Sequence, residues 1–564
     1  MKFGGEFRHA SVWVHYYRNA RGSFSFVGNT GPWANDPSFS GIEKAFADYL
    51  GGYIGAGQAS FATGDPVRTW YVLSGAGYFT DTWQVKPTLS VNYGVRYDYN
   101  TPFYDPTHTI STWWPTFKTS DPKTPGLAFP GAAGSPISSL YPPDKNNFAP
   151  RLGFAWTPKR GGKTVIRGSW GLYYDVLQAH LFVDSSAGDS SNSGASRNPG
   201  GANPVFNVST TSTVIVQKDA PIFGASLTPA PPWGLWAVDQ GFRNPYTQNF
   251  TLNVQQQLTS HTILQVAYVG SQARKEAVNV NMNAPRASVT DYANVQAARP
   301  YNATFPMYSG ITRLETAGNA HYNALQVSLR STTWKGLSGQ ISYTLSRAWD
   351  DMSGARYNFP ADQYNLKGDW GHADFDTPHA MSGYLVYDLP QLGHSVPRLT
   401  KGWEVSSYFA ADAGFRFYVG GPGNLSHTYQ YHDRANLIGD PFAGVTQPGP
   451  LLKVGGVAFF NPKAFTANDP GTFGTVQRNQ FRSLPYHNID FAVIKNTNIT
   501  EKVIAQLRFE MFNVFNILNL GCLDGGYLSG TGGMATCTLS TGNGAPGIGP
   551  GEPFNLQLAL KLKW

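Results

Sequence analysis

The sequence predicts an all-β fold, an antiparallel up-and-down β-barrel that spans a membrane. Three observations predict it: many segments alternate apolar and polar residues, short and long connections alternate between them, and the last strand ends on an aromatic residue, Trp564. Successive side chains of a strand point to opposite faces, so an alternating segment has one apolar face. We expect the barrel to be incomplete at its N-terminal side, with short periplasmic turns and long extracellular loops.

The composition agrees with a membrane β protein. Of the 564 residues, 14% are charged and 14% are aromatic, whereas soluble domains carry about 25% charged residues. No apolar run approaches the ~18 residues that a membrane helix requires. The net charge of +7 comes from scattered residues, and without a basic block we expect no nucleic-acid partner.

The predicted strands are clearest at the C-terminus. Residues 554–564 place Phe554, Leu562 and Trp564 on one face, with leucines between them and mostly polar residues on the other. We count about 14–18 strand candidates, most of them near the 9–11 residues that cross a bilayer. Further alternating segments are 91–100, 249–258, 324–330, 340–347 and 488–495.

The connections between these strands alternate in length. Short polar turns are expected at 157–164, 258–262, 332–338 and 495–502. Longer stretches rich in Gly, Pro, Ser and Asn lie at 101–147, 176–244, 271–320, 349–378, 420–485 and 517–553. In an up-and-down barrel every second connection lies on the same side of the membrane, which explains this alternation.

The N-terminus lacks the apolar core of a signal peptide and already alternates as a strand does. An outer-membrane protein must be exported. We therefore expect the chain to be a fragment or a mis-started reading frame, with its first strands missing.

Two cysteines, Cys522 and Cys537, lie in a Gly-rich stretch near the C-terminus. In an oxidising compartment they are expected to form a disulfide that closes this loop. The alternative is a pair of free thiols.

Four tryptophans, Trp113, Trp114, Trp233 and Trp236, fall in the predicted loops. They are the candidate ligand contacts, because indole rings stack on sugars and other flat molecules. The alternative is that they pack within their own loops or lie at the membrane interface.

The segment HADFDTPH contains His372, Asp374, Asp376 and His379, which are residue types that bind metals. It leads into a predicted strand, where alternate side chains point apart. We therefore interpret it as a structural entry to the strand and expect no metal site. No nucleophile elbow, metalloprotease or phosphate-binding motif occurs, so we expect no catalytic residue, no cofactor and no enzyme activity.

Several segments resemble the barrel of Oar-like TonB-dependent receptors, which are common in Acidobacteria and Myxobacteria. The resemblance covers residues 148–175, 244–258, 322–351, 368–390 and 508–519. It implies a parent protein with a signal peptide, a regulatory domain, a plug and a larger barrel. Residues 1–564 would then be the C-terminal part of the barrel, with the plug and the regulatory domain absent.

The resemblance also implies a location and partners. The protein would lie in the cell outer membrane and take up a nutrient, in contact with outer-membrane lipid and lipopolysaccharide. The barrel-assembly machinery would read the last strand, with Phe554, Leu562 and Trp564 as the signal. The TonB energy-coupling complex would act only through the absent plug.

Two other interpretations remain open at this point. One is a non-transporting outer-membrane barrel for adhesion or surface structure. The other is a secreted all-β carbohydrate-binding protein or glycosidase, which would bury its apolar strand faces between two sheets.

Overall fold

The main element of the computed structural model is one large antiparallel sheet. The residues described are 1–15, 22–63, 67–119, 121–185, 206–216, 218, 231–354, 359–391, 396–445, 457–523, 525–526, 533–539 and 553–564. In this part of the chain fourteen strands follow one another across the sheet. They are β1 Lys2–His15, β2 Val67–Lys86, β3 Leu89–Asn100, β4 Phe148–Trp156, β5 Thr164–Tyr174, β6 Tyr246–Gln257, β7 Thr262–Asn281, β8 Tyr308–Trp334, β9 Leu337–Asp350, β10 His379–Asp388, β11 Trp403–Asp412, β12 Tyr486–Asn498, β13 Ile504–Phe512 and β14 Asn555–Lys563.

Each strand pairs antiparallel with the next one in this order, as in a meander. The all-β, antiparallel, up-and-down prediction is confirmed in this respect. Two short strands join the sheet at the side: Trp233–Val238 pairs in parallel with β8, and Gly371–His372 pairs antiparallel with β9. Among the described residues β1 and β14 do not pair with each other, so the sheet has two free edges and is not closed.

The connections alternate between short and long, as the sequence predicts. The short ones lie at 87–88, 157–163, 258–261, 335–336, 389–402 and 499–503, and the long ones at 16–66, 101–147, 175–245, 282–307, 351–378, 413–485 and 513–554. The turn between β8 and β9 has positive φ at Lys335 (50°) and Gly336 (85°), as the tightest hairpin turns require. One expectation was wrong in its bounds: much of the stretch 271–320 is strand, because β7 and β8 extend the pairing as far as Asn281 and Tyr308.

The long connections carry short strands and helices of their own. The short strands are Ser23–Phe24, Tyr53–Ile54, Ala59–Thr63, Thr112–Trp113, Leu127–Ala128, Phe206–Ser209, Val214–Ile215, Arg416–Phe417, Asn436–Leu437, Val457–Ala458, Phe465–Thr466, Phe481–Arg482, Leu520–Leu523 and Met534–Thr538. The helices are Gly41–Gly51, Pro397–Thr400 and the 3₁₀ turns Ala179–Ser185, Leu366–Asp369 and Pro462–Ala464. None of the described helices is long and apolar enough to cross a membrane.

The helix Gly41–Gly51 was not foreseen, although its start has a sequence signal. Ser40 accepts a hydrogen bond from the Glu43 amide, and the Glu43 carboxylate accepts one from the Ser40 amide. This capping box satisfies two amides that the first turn leaves free. The helix ends at Gly52, whose φ of 66° favours glycine.

The buried apolar side chains gather in the long connections and at the strand ends next to them. One cluster contains Trp70, Phe103, Ile110, Leu140, Tyr141, Leu181, Phe182, Val238, Phe242 and Leu314. A second contains Trp113, Leu127, Leu235, Ala237, Phe305, Tyr308 and Ile311, and a third includes Val419, Phe459, Phe460, Phe465, Phe481 and Leu520. The long loops therefore form a packed body, which we call the loop end.

Candidate functional site: the two faces and the loop end of the sheet

The first face of the sheet is apolar and exposed. Leu252, Tyr268, Leu325 and Leu345 are direct neighbours on four successive strands, β6 to β9. Directly opposed residues of an antiparallel pair point to the same side. These four side chains are between 41% and 49% exposed, so they form a continuous apolar row that no other part of the described chain covers.

The same face continues to the last strand. Leu556, Leu558, Leu560 and Leu562 of β14 oppose Met511, Phe509, Leu507 and Ala505 of β13. The β14 leucines are more than half exposed, and Trp564 follows them at 93%. Exposed apolar patches far larger than a few hundred Å² are rare on soluble monomers and mark membrane or partner contact. The arrangement fits the hydrocarbon of a bilayer.

The opposite face is polar and hydrogen-bonded across strands. The hydroxyls of Ser328 and Ser342, a directly opposed pair, are 3.1 Å apart. Thr82 donates to Asn92 Oδ1 at 2.6 Å from the neighbouring strand, and Arg167 Nη1 donates to Gln255 Oε1 at 2.8 Å. Polar side chains that satisfy one another in this way form a surface that water can wet.

A shallow cavity of about 270 Å³ lies against this polar face at β10–β13. Tyr384, Tyr408 and Asp490 line it, together with the ion pair between Arg508 and Glu510, whose Nη2 and Oε1 atoms are 2.6 Å apart. It offers hydrogen-bonding groups and aromatic rings but no nucleophile paired with a base.

The loop end contains buried ion pairs that join distant loops. Arg478 Nη1 lies 2.6 Å from Asp350 Oδ1, and its Nη2 donates to Ser353 Oγ at 2.6 Å. Arg434 forms an ion pair with Asp369. Each pair joins the β9–β10 region to the β11–β12 loop, so the two long loops are held to each other.

The segment HADFDTPH belongs to this ion-pair network. Asp376 is buried, and its Oδ2 accepts from Arg416 Nε at 2.9 Å and from Arg482 Nη2 at 3.1 Å. His372 Nδ1 is 3.0 Å from the same oxygen but outside hydrogen-bonding geometry. Burial raises the pKa of Asp376, but the Ala348 amide and the two arginines outweigh this effect and hold the pKa below its usual range.

The other two members of the segment point elsewhere. Asp374 accepts from Asn479 Nδ2 at 2.6 Å, and His379 Nδ1 lies 2.7 Å from the Tyr343 hydroxyl on the strand beside it. The four side chains do not converge on one point. Within the described ranges, no three His, Cys, Asp or Glu side chains are grouped to hold a metal ion.

The four candidate tryptophans differ in their surroundings. Trp113 is fully buried, with its ring centroid 5.3 Å from Tyr301 and 5.2 Å from Phe305, and Trp236 is 5% exposed. These two indoles have no free face for a ligand, because the loop end packs around them. Trp114 and Trp233 are half-buried, so ligand contact through these two remains a prediction.

The two cysteines are bonded to each other. Cys522 and Cys537 lie on neighbouring strands of the β13–β14 loop, and their Cα atoms are 5.4 Å apart. Leu520 and Ala535 of the same strands are buried in the loop end. The disulfide therefore closes a loop that also packs into the apolar core.

Sequence reasoning missed the charged residues of the loop end. Arg416, Arg434, Arg478 and Arg482 stand in long loops with no recognisable motif, and their partners lie 40 to 128 residues away along the chain. No spacing rule connects residues so far apart. Only the clustering of Asp374 and Asp376 in one short segment gave any signal.

Comparison with sequence families gives one match. A family described as "Outer membrane beta barrel domain" matches residues 1–552. No curated protein matches the sequence.

Solved structures with a similar arrangement include two transporters and one receptor. The FrpB iron transporter from Neisseria meningitidis is 9% identical with a TM-score of 0.43, and the chain covers 52% of it with 100% of its own length. The outer membrane transporter YddB from Escherichia coli is 10% identical with a TM-score of 0.41, and the match covers 54% of YddB and 89% of this chain. The ferripyoverdine receptor of Pseudomonas aeruginosa is 12% identical with a TM-score of 0.40, and the match covers 39% of the receptor and 88% of this chain. The chain thus spans about half the length of these proteins or less.

Proposed function

The chain belongs to the outer-membrane β-barrel domain family, and on that premise we propose that it forms the C-terminal wall of a TonB-dependent, Oar-like receptor for nutrient uptake. The protein lies in the cell outer membrane and is not an enzyme. In this proposal residues 1–564 are barrel strands and their loops. The plug and the regulatory domain lie outside this segment.

The observation that carries the proposal is the division of one sheet into an apolar and a polar face. The row formed by Leu252, Tyr268, Leu325 and Leu345 is exposed and apolar across four strands. On the other face the hydroxyls of Ser328 and Ser342 are hydrogen-bonded to each other. In hydrocarbon every backbone polar group must be paired within the protein, which a continuous antiparallel sheet achieves except at its edges. A barrel wall with an apolar outer face and a water-accessible inner face is suited to the passage of a polar solute.

The proposal also assigns partners. The apolar rows would contact outer-membrane lipid, and the loop end would contact lipopolysaccharide. Phe554, Leu562 and Trp564, all at least 45% exposed, would be read by the barrel-assembly machinery. TonB would act only through the plug.

A second candidate is adhesion without transport. It is favoured by the loop end, which has apolar cores and ion pairs of its own and is therefore a folded surface rather than a thin lid. The interpretation of the chain as a secreted carbohydrate-binding protein or glycosidase is wrong. Its apolar faces would be buried between two sheets, whereas the family is an outer-membrane barrel and the apolar face is exposed.

Gene deletions in the source bacterium separate transport from adhesion. Strains lacking the gene for this protein, lacking TonB, or lacking both would be grown on a panel of single carbon and iron sources. If the protein takes up a nutrient with the help of TonB, at least one carbon or iron source should support the growth of all three strains equally poorly. Normal growth of the first strain on every source, together with loss of attachment to surfaces, would support adhesion instead.

A further inference from the structure

The β11–β12 loop folds around two buried polar side chains, Asp433 and Asn468. Asp433 is 5% exposed and Asn468 is 2% exposed. The Ser426 amide donates to Asp433 Oδ2 at 2.7 Å, and Asn468 Nδ2 donates to the same oxygen at 3.2 Å. The carboxylate and the amide therefore lie side by side, although 35 residues separate them.

Each of these side chains has one oxygen without a donor. Among the described residues, Asp433 Oδ1 and Asn468 Oδ1 form no hydrogen bond. The amide orientation of Asn468 is fixed by its neighbours, because Nδ2 also donates to the Thr472 carbonyl oxygen at 2.6 Å. Reversing the amide would place its oxygen against two acceptors. Buried oxygens without a partner are rare in folded proteins and call for an explanation.

A third oxygen approaches the same place. A Cβ atom on Gly421 would stand 2.9 Å from Asn468 Oδ1 and 3.0 Å from the main-chain oxygen of Arg434. The Gly421 amide donates to the Asp433 main-chain oxygen at 2.8 Å, which keeps this backbone next to residues 433 and 434. The Asn468 side-chain oxygen and the Arg434 main-chain oxygen thus lie beside a residue that has no side chain, and the Asp433 carboxylate contacts the Nδ2 atom of the same Asn468 amide at 3.2 Å.

The Asp433 carboxylate has no positive partner in the described part of the chain. The Arg434 side chain turns to Asp369, and Arg478 pairs with Asp350 and Asp374. An uncompensated buried carboxylate is unfavourable unless a cation pairs with it.

We propose that Asp433 Oδ1, Asn468 Oδ1 and the Arg434 main-chain oxygen bind a calcium ion at the loop end. Carboxylate, amide and carbonyl oxygens are the ligands that Ca²⁺ prefers, and its flexible coordination accepts water in the remaining positions. A water molecule alone would satisfy the free oxygens but would leave the buried charge uncompensated. Bound calcium would tie residues 433 and 434 to residue 468 and stiffen the loop that also carries Arg478. This calcium proposal requires only that the loop end faces solution. It does not depend on whether the protein transports a nutrient.

The binding test uses the full chain refolded in detergent micelles, with radioactive calcium in equilibrium dialysis. We expect one saturable site with a Kd of roughly 10⁻⁴–10⁻³ M, as in other extracellular calcium modules. Asp433→Asn should weaken binding at least tenfold. Asp440→Asn is the matched control, because Asp440 carries the same charge in the same loop but is exposed, and it should bind like the wild type.

A second variant separates calcium from water or a proton at this position. Asn468→Asp adds a second carboxylate, which should tighten calcium binding at least tenfold and make the thermal stability of the chain depend on calcium. If water or a proton occupies the place, the same variant sets two carboxylates against each other and binds no calcium. Wild-type binding no stronger than that of Asp433→Asn, with no gain in Asn468→Asp, would overturn the proposal. This second variant keeps the test decisive if Asp433→Asn fails to fold.

Discussion

The guanidinium of Arg478 and the carboxylate of Asp350 form a buried ion pair that joins the end of β9 to the β11–β12 loop. Nη1 and Oδ1 are 2.6 Å apart, and the two side chains are 8% and 4% exposed. Nη1 also donates to the main-chain oxygen of Asp350 at 2.8 Å. This contact fixes the position of the long loops relative to the sheet.

Replacing Arg478 by Met should destabilise the loop end by about 3–5 kcal/mol, because Asp350 is left as an unpaired buried charge. Hydrogen exchange of the loop amides in micelles measures this change. Asp374→Asn is the control: Asp374 also contacts Arg478 but is 63% exposed, so its loss should cost no more than about 1 kcal/mol. Equal effects of the two variants would show that the Asp350 pair does not hold the loops.

Trp113 and Trp114 are neighbours in sequence and should respond differently to replacement. Trp113→Ala removes a fully buried indole and should cost about 3–5 kcal/mol, as large cavities in cores do. Trp114→Ala should cost clearly less, because its ring is only half-buried. Urea unfolding followed by near-ultraviolet circular dichroism compares the two. A harmless Trp113→Ala would contradict the packing described for the loop end.

Glu276 should make stability depend on pH. It lies on β7, which begins at Thr262 directly after the short turn at 258–261. The first ~9–11 residues of a strand suffice to cross the bilayer, so Glu276 lies outside the membrane-spanning part of β7. Burial, assisted by the nearby charge of Asp175, raises its pKa from 4.5 to about 7.

Because this pKa is raised on folding, the folded protein keeps a proton that the unfolded chain releases as the pH rises. The stability contributed by the neutral form is therefore complete below pH 4.5, is lost between pH 4.5 and about 7, and stays lost at higher pH. Glu276→Gln should remove this dependence and be more stable than the wild type above pH 7. Thermal unfolding across the pH range measures it, and parallel curves for the two proteins would contradict the prediction.

Reducing the disulfide between Cys522 and Cys537 should loosen the β13–β14 loop. The two cysteines are 15 residues apart, and closing a loop of that size stabilises a protein by about 3 kcal/mol. Limited proteolysis with and without a reductant should show new cleavage between β13 and β14. A variant with both cysteines replaced by Ala should be cleaved in either condition, and resistance of the reduced wild type would refute the expectation.

The sequence predicts the sheet well, because its signal is local. Alternation along residues 324–330 and 340–347 needs only the two-residue period of a strand, and both segments form the hairpin of β8 and β9 as expected. The apolar face of residues 554–564 is likewise exposed along β14. Strand ends were less predictable, because the extension of β7 and β8 beyond the bilayer depends on partners elsewhere in the chain.

The loop end could not be predicted in the same way. Asp376 accepts from Arg416 and Arg482, 40 and 106 residues away, and no periodicity records such a contact. The candidate tryptophans illustrate the same limit. Trp113 and Trp114 look alike in sequence, and the first is buried because Tyr301, Phe305 and Tyr308 pack against it.

The central claim is that one face of the sheet contacts lipid and the other contacts water. It is tested most directly by spin labels on cysteines placed one at a time along residues 324–330 of β8 in lipid vesicles, with the native disulfide intact. Collision rates with oxygen, which concentrates in the bilayer, should be high at Leu325, Val327 and Leu329, and those with a water-soluble nickel reagent should be high at Gln326 and Ser328. Equal accessibility at successive positions, or water contact at Leu325, would contradict the account.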